Sequence, residues 1–170
     1  MLKELNVHSF CEENIALWSE RWLLLASGDF QHADYNAMTV SWGSIGNVWN
    51  YPFVQVFVRP TRYTLEFMEK YPTFTVNAFP EEYRDVLNYL GSTSGRECDK
   101  LSASGLTAVA SHYVAAPTFE EAQLSIECEK IYWQDFDPQH FLLPEIENHY
   151  SCADYHRVYY GRIKGIFQSA

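Results

Sequence analysis

Three stretches of the chain combine residue types that can grip an anion or a planar ring. In Arg59-Pro60-Thr61-Arg62-Tyr63-Thr64 an almost continuously apolar strand gives way to a helix. Unpaired N–H groups at a helix start favour an anion. Thr61 and Thr64 add hydroxyls, while Arg59 and Arg62 add charge and the fork geometry that suits a phosphate. Taken alone, the same pattern also describes a capped helix with two surface arginines. In Asn36-Ala37-Met38-Thr39-Val40-Ser41-Trp42-Gly43, Thr39 and Ser41 share one strand face and Asn36 opens the strand. A planar heterocycle could lie along such an edge, held by backbone and hydroxyl groups; an ordinary amphipathic strand is the plain alternative. The third stretch, Gly91 to Lys100, offers small residues for close backbone approach at Ser94-Gly95, then Arg96 and Lys100 as cations. It lacks the spacing of a P-loop or a dinucleotide fingerprint.

A fourth group, His149, Cys152, Asp154 and His156, has spacing that could hold zinc only if Asp154 were a ligand. A thiol and two histidines in a loop are commoner without metal, and none is expected. GxSxG, HExxH and paired Cys–His signatures are absent, and no carboxylate pair is selected by spacing for acid–base work.

Charge narrows the partners. The formal net charge is −10, a surface that repels nucleic acid and anionic membranes. Yet Arg59, Arg62, Lys70, Arg84, Arg96 and Lys100 gather half of the 12 basic residues into one short stretch, as a local anion site would require. Lys70 and Arg84 read as ordinary solvated helix faces. The four cysteines are scattered without a CxxC pair, residues 1–10 carry charges and no sustained apolar core, and the longest apolar run, Trp22 to Ala26, is too short to span a bilayer. Reduced thiols in a cytoplasmic protein are expected.

The elements that must position these residues are mostly strands. The 170 residues suit one domain, 1–170, and 47% hydrophobic with 16% aromatic content supports a packed core rich in strand-favouring side chains. Strands are expected over 21–27, 37–42, 53–59 and 73–79, the last with Phe74, Val76 and Ala78 on one face. Leu124, Ile126 and Cys128 alternate, but the apolar phase slips to Ile131 and Trp133, so a bulge is expected around Glu129-Lys130. The last strand should carry Tyr159, Ile163 and Phe167 on one face. Helices are expected over 81–90, stopped by Gly91; over 61–70, capped by Thr61; and over 97–104, ending at Gly105. Asp135 to Ser151 reads as a loop or lid. Many strands with few short helices indicate an antiparallel barrel with peripheral helices.

In this order, NAMTVSWG at 36–43, FVRPTRYT at 57–64, FTVNAF at 74–79, GSTSGRECDKL at 91–101, FEEAQLSIECEKIY at 119–132 and DYHRVYYGRI at 154–163 resemble the flavin reductase-like family, near its flavoredoxin-like branch. The resemblance implies a mainly β, Greek-key FMN-binding split barrel. It implies that Arg62, Tyr63 and Thr64 hold the FMN phosphate, with Arg59 and Lys100 as nearby counter-charges. Asn36, Met38, Thr39 and Ser41 would contact the isoalloxazine and ribityl, Asn77, Ala78 and Phe79 would form another wall, and Ser94, Gly95 and Arg96 would close the pocket. His156 would lie near the flavin or an incoming nicotinamide, or serve as a structural histidine. The implied activity is NAD(P)H-dependent flavin reduction, with NADH or NADPH as donor. A non-enzymatic FMN electron carrier or sensor with a redox partner protein is the alternative, and a barrel holding another ligand such as haem a third. A homodimer with the cofactor near the interface is implied as well.

Overall fold

The computed structural model describes residues 2–9 and 14–169. In chain order the elements are β1 (Leu2–Leu5), α1 (Asn14–Ser19), β2 (Leu23–Asp29), β3 (Asp34–Val40), β4 (Gly43–Val48), β5 (Tyr51–Val58), α2 (Thr64–Lys70) and β6 (Thr73–Ala78). There follow α3 (Arg84–Ser92), α4 (Lys100–Ser104), β7 (Ala108–Val109), β8 (Thr118–Phe119), β9 (Leu124–Asp135) and β10 (Arg157–Ser169). The main sheet runs β3-β2-β6-β9-β10-β5-β4, every pairing antiparallel, with β1 added to β10. This is a split barrel. Among the described residues no helix is long and apolar enough to cross a membrane.

Period-two patterning decides which face turns inward. Val54, Val56 and Val58 of β5, Phe74, Val76 and Ala78 of β6, and Leu124, Ile126 and Cys128 of β9 meet Tyr159 and Ile163 of β10 in one buried core. The opposite face of β2 and β3 buries Leu24, Ala26 and Ala37 against Leu87 and Leu90 of α3 and against Phe119. The protein thus has an interior core and a second apolar layer under its helices.

The long β9–β10 ribbon bends at two register shifts. Tyr160 faces Tyr132 but Gly161 faces Lys130, so Ile131 is the extra residue of β9, just past the Glu129-Lys130 position expected from the phase slip. A second shift leaves Lys164 unpaired between Ile163 opposite Cys128 and Gly165 opposite Glu127. That bulge reverses the expected facing of Phe167. Tyr159 and Ile163 point into the core with Ile166, whereas Phe167 stacks on His112 with ring centroids 4.2 Å apart. Opposite Gly165, the fully buried Glu127 carboxylate accepts the backbone N–H groups of His112 and Tyr113 at 2.8 and 2.7 Å, tying the intervening loop to the sheet.

The helices depart from the periodicity at their starts. α2 begins at Thr64, not Thr61, because the chain first makes turns from Arg59 to Arg62 and from Arg62 to Leu65, and Tyr63 precedes the helix with no side-chain cap. A 3-10 turn at Glu81–Tyr83 precedes α3, which continues through Gly91. There the missing Cβ admits Thr39, whose Cβ would stand 3.2 Å away. α4 spans only Lys100–Ser104, with Asp99 accepting from the Ser102 N–H, and it ends as expected at Gly105, φ +77°. Residues 136–150 form two 3-10 turns, Pro138–His140 and Pro144–His149, with an aromatic cluster of Phe136, Phe141, Tyr150 and Tyr155. Cys98, Cys128 and Cys152 are free thiols, and Cys11 lies outside the described residues.

Gly161 makes the centre of the barrel possible, since a Cβ there would strike the Phe74 ring and lie 2.7 Å from Cys128 Cβ. Gly161→Ala should therefore destabilise the protein by about 1–3 kcal/mol through overpacking. Urea denaturation reads this directly, and an unchanged midpoint would contradict the close packing.

Candidate functional site

The cations of the 59–100 stretch have different surroundings. Arg84 and Arg96 are paired with Glu81 and Glu66 near the surface, and Lys70 with Asp34. Arg59 pairs with Asp154 at 2.8 Å, and its second nitrogen donates to the His149 carbonyl. Arg62 and Lys100 make no ion pair among the described residues. Arg62 donates to the Gly91 carbonyl at 2.7 Å. Lys100 is 4% exposed and donates to the carbonyls of Leu90 and Thr93 at 2.7 and 2.9 Å. These carbonyls satisfy hydrogen bonds but cannot neutralise charge. Burial, reinforced by Arg62, pulls the Lys100 ammonium down to about 8, and burial with Arg59 also lowers Arg62. A buried ammonium and a half-buried guanidinium, neither paired with a carboxylate among the described residues, call for an anion.

A space for one lies beside them. A cavity of about 70 Å³ is walled by Asn36 and Met38 of β3, by Thr61, Arg62, Tyr63 and Thr64 at the entry to α2, and by residues 92–95 with Lys100. Asn36 donates to Thr64 Oγ1 at 2.8 Å, holding β3 against α2. At Gly95 a Cβ would come within 2.7 Å of Asn36 Oδ1 and 2.9 Å of Tyr63, so only glycine lets the backbone close here. The anion grip comes from side chains and this tight loop. The seven residues of α2 and the exposed, non-capping Thr61 replace the capped helix start expected at that point.

Met38 and Arg62 also wall a second cavity, of about 230 Å³, with Thr39, Val40, Ser41 and Trp42 on one side and Phe57, Arg59 and His156 on the other. Thr39 Oγ1 donates to the Leu87 carbonyl at 2.5 Å, so its hydroxyl proton is already engaged. His156 is buried, its Nδ1 lies 2.9 Å from the Tyr150 hydroxyl, and its ring lies 4.9 Å from that of Trp42. Burial, with Arg59 nearby, lowers its titration to about 4, so the imidazole is neutral near pH 7. A groove of about 560 Å³ opens beyond the small cavity and shares Asn36, Tyr63, Gly95 and Lys100 with it. The joined spaces can take an anion at the Lys100 end and a flat ring at the His156 end.

Of the residues read from the sequence, Asn36, Met38, Arg62, Tyr63, Thr64, Ser94, Gly95 and Lys100 surround the small cavity, and Met38, Thr39, Ser41, Arg59, Arg62 and His156 the larger one. Three expected wall residues lie elsewhere. Asn77 is buried in a polar cluster with Thr75, Thr118 and the Leu24 carbonyl, Ala78 is in the barrel core, and Phe79 packs under α3. Strand alternation sends these side chains to two interiors. Arg96 turns outward to Glu66 and the Thr61 carbonyl, so it closes the loop from outside. Trp42 and Phe57 also wall the larger cavity; both stand inside the motifs at 36–43 and 57–64, but as apolar residues of strand segments they carry no signal that separates them from core side chains. The His149, Cys152, Asp154 and His156 group is otherwise engaged: Asp154 holds Arg59, His156 meets Tyr150, His149 is edge-on to Trp42, and Cys152 is exposed. No group of three or more metal-ligating side chains occurs among the described residues.

Residues 22–166 match the model of the flavin reductase like domain. The chain belongs to the flavin reductase-like family. No curated protein sequence matches it. Solved structures with the same fold include an FMN-binding domain of a flavin reductases-like enzyme from Shewanella baltica OS155, with 14% identity, TM-score 0.70, and 99% of this chain and 77% of that one covered. Flavoredoxin of Desulfovibrio vulgaris (Miyazaki F) follows at 21% identity and TM-score 0.68, with the same coverages. An NADH:FAD oxidoreductase of Streptomyces globisporus C-1027 has 14% identity and TM-score 0.64, covering 87% and 75%.

The flavin reductase-like pocket makes a linkage prediction through Lys100. Its folded value of about 8 lies below the 10.5 of an unperturbed lysine. Its stability contribution is therefore complete above 10.5 and is lost as pH falls toward 8, where the folded protein must accept a buried charge. Between those limits wild-type stability should rise with pH relative to Lys100→Met, and added inorganic phosphate should flatten the difference. Urea denaturation of both proteins at either end of this window is the check, and parallel pH profiles would count against a charged, uncompensated Lys100.

Proposed function

We propose that this protein binds FMN, with the phosphate in the small cavity and the ring in the larger one, and acts as an NAD(P)H-dependent flavin reductase. The observation that carries the binding is the buried Lys100 beside the half-buried Arg62, both facing a glycine-tightened cavity without a carboxylate partner among the described residues. Arg62, Lys100, Tyr63 and Thr64 would hold the phosphate, with Ser94 and Gly95 closing over it. Met38, Thr39 and Ser41 would flank the ring, with Arg59 and His156 opposite. Bound FMN would supply reversible one- and two-electron chemistry. The chain positions it, limits water at the Lys100 end and surrounds the ring with fixed dipoles. A neutral His156 and the ion-paired Arg59 provide no strong base, in keeping with chemistry that needs none.

NADH or NADPH would enter from the open side of the larger cavity, beside Trp42. The exposed aromatic rings of Trp49, Tyr51 and Tyr132, which share the Tyr160 face of the sheet, support association of two copies of this chain. A cytoplasmic setting accords with three free thiols. The reading of a carrier or sensor, which exchanges electrons with a protein partner and reacts slowly with nicotinamides, draws on the flavoredoxin-like fold.

The visible spectrum of purified protein, followed anaerobically after NADH and then NADPH, separates these readings. A flavin spectrum that bleaches rapidly supports the reductase. A stable flavin spectrum with either donor supports the carrier, and a colourless protein that fails to quench FMN fluorescence removes the flavin. Arg62→Ala should weaken FMN binding about tenfold to a hundredfold, as loss of a charge-assisted hydrogen bond does, with little change in the flavin midpoint potential. Fluorescence titration and potentiometry give the two values, and equal damage to both would overturn the phosphate assignment.

A further inference from the structure

Tyr150 stands behind His156, outside the set of side chains that wall the cavity. It is 5% exposed, and its ring is fixed on several sides. Phe141 stacks on it at 6.0 Å, Tyr155 packs at 5.0 Å, and the Arg59 guanidinium lies 5.4 Å from its centroid. The phenolic oxygen therefore has little freedom, and it lies 2.9 Å from His156 Nδ1.

A hydrogen bond between a phenol and a neutral imidazole can run in either direction. If Nδ1–H donated to the phenolic oxygen, the phenolic proton would need another acceptor, and no other is found for it among the described residues. An unsatisfied donor in so buried a place is costly. If the phenol donates instead, Nδ1 is the acceptor, every polar atom of the pair is used, and the ring proton sits on Nε2. Nε2 has no protein partner among the described residues and is not a buried orphan, so it is left to the cavity that His156 lines.

We propose that Tyr150 is a positioning residue: its O–H donates to His156 Nδ1 and holds the imidazole in the tautomer that presents an Nε2–H donor to an acceptor atom in the cavity. The ligand atom it faces is a carbonyl oxygen or an unprotonated ring nitrogen. That part rests on the reading that a flavin or nicotinamide ring occupies this end. The tautomer itself does not. The charged and titratable groups around the ring agree with a neutral imidazole: burial dominates, Arg59, Arg62 and His149 disfavour a further positive charge, and Asp154 alone opposes them while paired to Arg59. His156 thus acts as a hydrogen-bond donor and transfers no proton. The phenol, itself raised by burial, remains protonated.

Two-bond 1H–15N correlation spectra of the FMN-free protein read the tautomer directly. In wild type, His156 should show a protonated Nε2 and an acceptor Nδ1 across roughly pH 6–8, the range in which a free histidine titrates. Tyr150→Phe keeps the ring in its stack but removes the donor, so the Nδ1–H tautomer should appear and the wild-type Nε2–H correlation should weaken. Tyr155→Phe, which shares the stack without a hydrogen bond to His156, should change neither. A protonated Nδ1 in wild type would overturn the proposal, and so would an unchanged tautomer in Tyr150→Phe. The wild-type spectrum decides even if the variant folds poorly. Because no flavin is present, a failure here is separate from a failure to bind FMN.

Discussion

The antiparallel ribbon of β9 and β10 is the constraint on which the other elements depend. It joins the β2–β3–β6 side of the sheet to the β4–β5 side, since β6 pairs with β9 and β5 with β10. Two extra residues, Ile131 and Lys164, bend it, and bulges both curve a sheet and turn side chains to new faces. Gly161 lies at the bend, where the Phe74 ring fills the space that a side chain would occupy. Curvature, core closure and the facing of Phe167 follow from the same register.

One end of that ribbon also delivers chemistry. β10 starts at Arg157, so His156 is the last residue before the strand and shares its rigidity. β5 ends at Val58, opposite Arg157, which brings Arg59 to the same rim. β3 supplies Met38 and Thr39 from the far edge of the sheet. The site is therefore built where strand ends from both halves of the sheet meet, and only the 92–100 loop has to be folded over it. Lys100 secures that loop by binding carbonyls from the end of α3 and from Thr93. The same burial that fixes the ammonium in place makes an anion favourable beside it.

Electrostatics sorts the basic residues into two kinds. Lys70, Arg84 and Arg96 meet carboxylates near solvent, where such pairs contribute little to stability. Lys100 is withdrawn from water and Arg62 partly so, and both are left with neutral partners, a costly arrangement unless a ligand completes it. His156 is shifted in the same direction: its own burial and the neighbouring cations keep it neutral, so it faces the cavity as a dipole.

Much of this was legible in the residue pattern. Alternation at 73–79 and the nearly continuous apolar run at 53–59 marked strands, the phase slip after Cys128 signalled a bulge, and the clustering of Arg59, Arg62, Arg96 and Lys100 gave a reason to expect an anion. These are local signals, carried by period and composition within a few residues. The facing of Phe167, the interior placement of Asn77, Ala78 and Phe79, the outward turn of Arg96 and the contact of Tyr150 with His156 were not legible. Each depends on which distant segment arrives opposite: Glu127 across from Gly165, Thr118 beside Asn77, Glu66 beside Arg96. The sequence by itself determined the residue chemistry and the strand-rich class, because side-chain type and periodicity are properties of short stretches. Tertiary structure decided which cations lost their counter-charges and which ring nitrogen was left open, because burial and pairing are properties of the assembled sheet.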